Sequence, residues 1–172
     1  GAHGPVVPPT KKSLARQPRA PVEGFGRLVQ VALVVRDIES AARLWAELLG
    51  VEAPPIIETA EWEETHMTFR GAPSRGRAKL AFFNLGGVTL ELIEPIGGPS
   101  TWSEFLERHG SGIHHIAFVV DDMEAAIRRL RELGGELVQR GDFEGGSYAY
   151  VDARGSLGAI VELLHFKAQR RH

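Results

Sequence analysis

An internal repeat constrains this chain more than any other feature. Gln30-Val-Ala-Leu-Val-Val-Arg-Asp-Ile-Glu-Ser-Ala-Ala-Arg43 reappears as His115-Ile-Ala-Phe-Val-Val-Asp-Asp-Met-Glu-Ala-Ala-Ile-Arg128. At that one offset Ala32/Ala117, Val34/Val119, Asp37/Asp122, Glu39/Glu124 and Gly50/Gly135 are identical. Each copy opens with alternation, as where Val29, Val31, Leu33 and Val35 interleave with Gln30, Ala32 and Val34, the pattern of a strand with two different faces. A helix follows, with Asp37 or Asp122 as its N-cap. Ile38, Ala41, Ala42, Trp45, Leu48 and Leu49 make one apolar stripe, and Met123, Ala126, Ile127, Leu130 and Leu133 make its counterpart. Gly50 and Gly134-Gly135 supply the stops.

Further strand-like runs complete each copy. They are Lys79–Asn84 and Val88–Glu94 in the first, and Glu136–Gln139, Ser147–Asp152 and Ala159–His165 in the second. The segment Val51–Arg77 is longer than its counterpart and is expected to hold one strand and a mobile loop. Gly141-Asp-Phe-Glu-Gly-Gly-Ser147 reads as a flexible loop over a substrate. Both copies are therefore strand–helix–strand–strand–strand. Neither alone covers both faces of its sheet, but a pair does, as one α+β domain with an internal cavity. The expected organisation is an arm over 1–26, rich in proline and basic residues and opening on a tag-like Gly-Ala-His. A single domain follows over 27–172, with modules at 27–96 and 112–166.

Composition removes several function classes. The chain has 172 residues and no cysteine, so it has no disulfide, thiolate nucleophile or thiolate metal site. A net charge of −2 lacks the basic footprint of a nucleic-acid binder. No apolar run approaches the ~20 residues of a membrane span. A cytoplasmic protein acting on a small molecule is the expectation.

Strand register then exposes four polar residues on apolar faces. Gln30 shares a face with Ala32 and Val34, His115 with Ala117 and Val119, Glu91 with Thr89 and Ile93, and Glu162 with Ile160 and Leu164. The repeat makes Gln30 equivalent to His115. It also makes Glu91 in Leu-Glu-Leu-Ile equivalent to Glu162 in Val-Glu-Leu-Leu, once the longer loop of the first copy is allowed for. A twofold pairing of the copies brings all four together, as a divalent-metal site of oxygen donors and one imidazole. Co, Ni, Mn, Zn and Mg all remain open. Period-2 alternation sends the adjacent His114 to the opposite face, as a packing or hydrogen-bonding residue.

With these residues in view, the chain from about Leu28 to Leu164 resembles the vicinal oxygen chelate superfamily. The resemblance implies paired βαβββ modules, a mostly antiparallel cupped sheet around one metal, and a homodimer. Asn84-Leu-Gly-Gly, Leu90-Glu-Leu-Ile-Glu-Pro-Ile, Gly112-Ile-His-His-Ile-Ala-Phe-Val-Val-Asp-Asp and Gly158-Ala-Ile-Val-Glu-Leu are similar to methylmalonyl-CoA epimerases. Those enzymes usually carry histidine at the position of Gln30, and some carry a glutamate base on the strand matching Lys79–Phe83, which here has no carboxylate. The set Gln30, Glu91, His115 and Glu162 resembles that of eukaryotic glyoxalase I, a lactoylglutathione lyase. Both resemblances imply an isomerase or lyase that moves a proton α to a carbonyl, with Glu162, and by symmetry Glu91, as catalytic carboxylate. The substrate is expected to be an acyl-CoA or a glutathione thiol adduct. Extradiol dioxygenases and metal-free binding or resistance proteins share the superfamily and stand as alternatives. Arg70, Phe82, Trp102 and Tyr148 are candidate substrate contacts. The basic group Arg70, Arg75, Arg77 and Lys79 reads either as a site for carboxylate or phosphate or as a loop with internal ion pairs, the second being favoured.

Overall fold

In the computed structural model, which describes residues 25–168, each copy of the repeat opens with the expected strand and helix and continues into further strands. The first module contains β1 (Phe25–Val34), α1 (Ile38–Leu49), β2 (Ile57–Glu58), α2 (Trp62–Thr65), β3 (Thr68–Phe69), β4 (Ala72–Pro73), β5 (Gly76–Asn84) and β6 (Thr89–Gly97). After α3 (Thr101–His109) come β7 (Gly112–Val120), α4 (Met123–Glu132), β8 (Glu136–Phe143), β9 (Gly146–Ala153), α5 (Arg154–Leu157) and β10 (Ala159–Phe166). Asp37 and Asp122 cap their helices as expected, accepting hydrogen bonds from Ser40 N at 3.2 Å and Ala125 N at 3.0 Å. Gly50 ends α1 in the left-handed region, at φ 67°.

The strands form one mixed, curled sheet in the order β2-β5-β6-β1-β7-β10-β9-β8-β3-β4. β1 and β7 lie antiparallel at its centre, while β1–β6 and β7–β10 are parallel. The register is symmetric about that centre. Gln30 faces Ala117 and Ala32 faces His115 across β1–β7. Ala32 faces Glu91 on one side, and Ala117 faces Glu162 on the other.

The two principal helices cover one face of the sheet. α1 packs Ile38, Ala42 and Ala46 on Ala81, Phe83, Leu90 and Leu92. α4 packs Met123, Ala126, Ile127 and Leu130 on Val151, Val161 and Leu163. Ile127 is 1% exposed, so Ile127→Ala should cost about 2–5 kcal/mol of stability, read as a lower urea midpoint at unchanged slope. The other face keeps Ala32, Val34, Ile93, Ile160 and Tyr150 for the site.

Four features depart from the sequence reading. β1 begins at Phe25, inside the expected arm, with its ring 6.1 Å from Phe118 in an edge-to-face contact. The rest of that arm lies outside the described residues. The segment Val51–Arg77 holds three short strands and a helical turn, and it crosses to the other module: β3 pairs with β8 at the far edge of the sheet, and α2 packs on β8. Gly141–Ser147 is not a loop, because β8 and β9 pair through Gly141, Asp142 and Phe143, leaving only Glu144 and Gly145 as the turn. The chain between the modules holds α3, which rests on the site face of the sheet. Among the described residues no helix is long and apolar enough to cross a membrane.

Candidate active site

The symmetric register brings the four inward polar residues together. His115 is buried on the central strand β7, and its Nε2 lies 3.0 Å from Gln30 Oε1, 3.4 Å from Glu162 Oε1 and 3.8 Å from Glu91 Oε1. Gln30 comes from β1, Glu91 from β6 and Glu162 from β10, so each module contributes one central donor and one flanking carboxylate. All four are at most 8% exposed. The side chains close on one another, and among the described residues no three His, Asp or Glu groups stand as a formed cation site. The donor set still suits a divalent ion: three oxygen-bearing side chains at the foot of a cavity meet one imidazole just behind them.

Burial, and then the charge of Glu162, push the Glu91 carboxyl well above its ordinary range. The folded chain therefore holds a proton there that the unfolded chain releases near 4.5. That contribution to stability is complete below the unfolded value and is lost as pH rises through the folded one. His114 slopes the other way, since burial followed by the nearby His115 lowers it. The Glu91 effect is therefore read as a difference between two proteins. In cation-free protein, the melting temperature of Glu91→Gln minus that of wild type should grow as pH is raised from 5 to 8.

His114 is not on the opposite face. Ala32 pairs with His115 but Leu33 pairs with Ile113, so β7 carries one extra residue, a β-bulge that turns both histidines inward. Their Nδ1 atoms are 2.8 Å apart, at hydrogen-bond distance, while His114 Nε2 lies 3.2 Å from Thr101 Oγ1 on α3. The hydrogen-bonding role expected of His114 holds even though its face does not. A histidine that binds a metal through one nitrogen commonly anchors its other nitrogen to a partner, and this chain provides one.

A sequence model described as the Glyoxalase/Bleomycin resistance protein/Dioxygenase superfamily matches residues 29–151, which spans both modules. The chain belongs to this superfamily. It is 32% identical over 144 residues to the ethylmalonyl-CoA/methylmalonyl-CoA epimerase of Cereibacter sphaeroides, covering 81% of this chain and 97% of that protein. Mouse mitochondrial methylmalonyl-CoA epimerase is 30% identical over 117 residues, which is 67% of this chain. The chain spans only 58% of that mouse protein's length. Among solved structures, methylmalonyl-CoA epimerase from Mycobacterium tuberculosis shares the fold, with a TM-score of 0.58, 22% identity, and coverage of 86% of this chain and 93% of that one.

In this superfamily member Gln30, Glu91 and Glu162 line a cavity of about 600 Å³, and the fully buried His115 lies behind them. Three of the four expected substrate contacts, Phe82, Trp102 and Tyr148, line it. Phe82 stands across the ladder from Glu91, and Tyr150 holds the equivalent place beside Glu162. Trp102 Nε1 donates to the Tyr150 hydroxyl at 3.1 Å, and Gln139 Nε2 donates to the Tyr148 hydroxyl at 3.1 Å. Burial, reinforced by the Glu162 charge and a hydrogen bond to Glu162, raises the Tyr150 hydroxyl well above its ordinary range and keeps it protonated. Gly141 matters here because a Cβ at that position would lie 2.9 Å from the Tyr148 oxygen.

The fourth expected contact is a correction. Arg70 lies outside the cavity and is held by Glu104 at 2.7 Å and Glu136 at 3.7 Å. The rest of the basic group is paired in the same way: Arg75 with Glu63, Arg77 with Glu58 and Glu61, and Lys79 with Glu94. The favoured reading, internal ion pairs, therefore describes it. Two site residues were not singled out as contacts from the sequence, Gln139 and Thr101. Only α3 left a signal, in the Ser100 cap followed by Trp102, Phe105 and Leu106 at helical spacing.

Proposed function

We propose that this protein is a divalent-metal-dependent isomerase that moves a proton on the carbon next to a carbonyl, in the manner of an epimerase. The observation that carries this reading is the symmetric pair of buried carboxylates, Glu91 and Glu162, flanking Gln30 and His115 under one cavity. A bound divalent ion would act as a Lewis acid on the carbonyl oxygen, stabilising the negative charge that develops when the α-carbon loses its proton. Gln30, Glu91, His115 and Glu162 would hold that ion.

The remaining chemistry belongs to the chain. Epimerisation removes a proton from one face of a carbon and returns one to the other, and Glu91 and Glu162 approach from opposite sides of the central strands. Glu162 takes the proton, its carboxylate becoming a carboxylic acid, and Glu91 delivers one from the other face. The reverse reaction exchanges these roles. A carboxylate that fully coordinates a cation is a weak base, so the acting glutamate must loosen as substrate arrives. Trp102, Tyr148 and Phe82 give the cavity an apolar wall against which the substrate packs. His114 fixes which nitrogen of His115 points at the substrate side.

A second reading, lactoylglutathione lyase, is favoured by Gln30, whose amide oxygen stands where methylmalonyl-CoA epimerases usually carry histidine. It uses the same proton transfer with one carboxylate. Deuterium incorporation followed by NMR covers both. The protein, loaded with Mg²⁺, Mn²⁺, Co²⁺, Ni²⁺ or Zn²⁺, is incubated in deuterated buffer with methylmalonyl-CoA, the methylglyoxal–glutathione hemithioacetal and uncharged hydroxyketones. Exchange of at least one compound that stops with a chelator supports the proposal. Exchange at the buffer rate for all, or exchange that ignores the chelator, overturns it.

A further inference from the structure

We propose that the substrate of this site is an uncharged polyhydroxy ketone rather than an acyl-CoA or another anion. The proposal rests on the metal-dependent reading above, and it concerns what enters the cavity rather than what happens to it. The charged side chains on the cavity wall are all carboxylates among the described residues: Glu58, Glu64, Glu91, Asp142, Glu144 and Glu162. No lysine or arginine lines it among those residues. Anionic substrates need the opposite, because carboxylates and phosphates are gripped by guanidinium and ammonium groups. The basic group of the first module is committed elsewhere. Arg70, Arg75, Arg77 and Lys79 each lie within 3.7 Å of a glutamate.

The carboxylates differ in depth and in pairing. Glu91 and Glu162 lie at the foot, where a divalent ion would balance both. At the mouth, Glu58 is paired with Arg77 at 3.1 Å and Asp142 lies 3.4 Å from His66. Glu64 and Glu144 stand on the rim, the first from α2 of the crossing segment and the second from the β8–β9 turn. An incoming anion is repelled by Glu64 and Glu144, while Glu58 and Asp142 are partly balanced by their partners. A hydroxyl group meets it as a hydrogen-bond donor meeting acceptors.

The walls fit the same class. Trp102, Tyr148, Phe82 and Phe143 line the cavity with aromatic side chains, the surface against which the C–H side of a polyol packs. The rim is built from both modules, because the first module's insertion reaches across to β8. The feature that closes the cavity is thus the one that sets its charge.

The test is ligand binding by saturation-transfer NMR, without metal and with Zn²⁺. The probes are 2-keto-myo-inositol, an uncharged cyclic polyol ketone; 3-dehydroquinate, a cyclic polyol ketone with a carboxylate; methylmalonyl-CoA; and the cation aminoacetone. The neutral polyol ketone should bind at least ten times more tightly than 3-dehydroquinate in both states. In the exposed double variant Glu64→Gln/Glu144→Gln that ratio should fall several-fold, because the anion gains. Tighter binding of either anion or of aminoacetone, or an unchanged ratio in the double variant, overturns the proposal. If the charge preference holds but Zn²⁺ neither binds nor changes any affinity, the substrate class stands and the metal-dependent reading fails.

Discussion

Epimerisation should fall by ~10²–10⁴-fold when either Glu162 or Glu91 is replaced by glutamine, the range that positioned acid–base groups contribute. The two variants should differ in how the remaining activity distributes. The carboxylates lie on opposite sides of the β1–β7 centre, paired through Ala117 and Ala32 to equivalent register positions. Each therefore serves one face of the substrate carbon. Deuterium exchange without inversion should survive from one epimer in Glu162→Gln and from the other in Glu91→Gln. Glutamine preserves the shape and an oxygen donor at the site, as Gln30 does, so the loss reports the base rather than a collapsed cavity. Measuring exchange from each epimer separately by NMR decides it. Equal loss from both epimers in one variant and no loss in the other would assign the chemistry to a single base.

The second large effect concerns His115 and the residue behind it. His115→Ala removes the one nitrogen donor and leaves two carboxylates and an amide around a void. His114→Leu keeps all four donors but removes the partner 2.8 Å from His115 Nδ1. Losing such a partner typically costs ~10–100-fold in metal affinity. His114→Leu should therefore weaken Zn²⁺ or Co²⁺ binding by about that factor, and His115→Ala by more. Competition against a chromophoric chelator measures both. Far-UV circular dichroism should be unchanged in His114→Leu, so that weaker binding is not mistaken for unfolding. His114→Gln, which can hydrogen-bond to His115, should recover part of the loss. Unaltered affinity in His114→Leu would reduce the histidine pair to packing.

The repeat made the central architecture legible. Because Gln30 and His115 fall at equivalent places, and Glu91 and Glu162 likewise, a period-2 strand and a twofold pairing were enough to predict four side chains meeting under one cavity. The same period misplaced His114, because a β-bulge adds a residue without leaving a mark in composition or alternation. The crossing of Val51–Arg77 to the far edge was not legible either. β3 and β4 have two residues each, too few for any periodicity, and their position depends on β8, more than sixty residues onward. Arg70 could not be placed for a similar reason, since its partner Glu104 lies on a helix that had not been recognised. The hydrogen bonds from α3 to Gln139 and His114 are tertiary consequences of that same helix.

Metal content read together with anomalous diffraction tests the central claim most directly. Crystals soaked in Co²⁺ or Zn²⁺ should show one ion per chain, bounded by Gln30 Oε1, His115 Nε2 and the carboxylates of Glu91 and Glu162, and the dissolved protein should hold one equivalent after dialysis. An ion bound elsewhere, or no ion retained at this site while deuterium exchange at the α-carbon continues, would contradict the account.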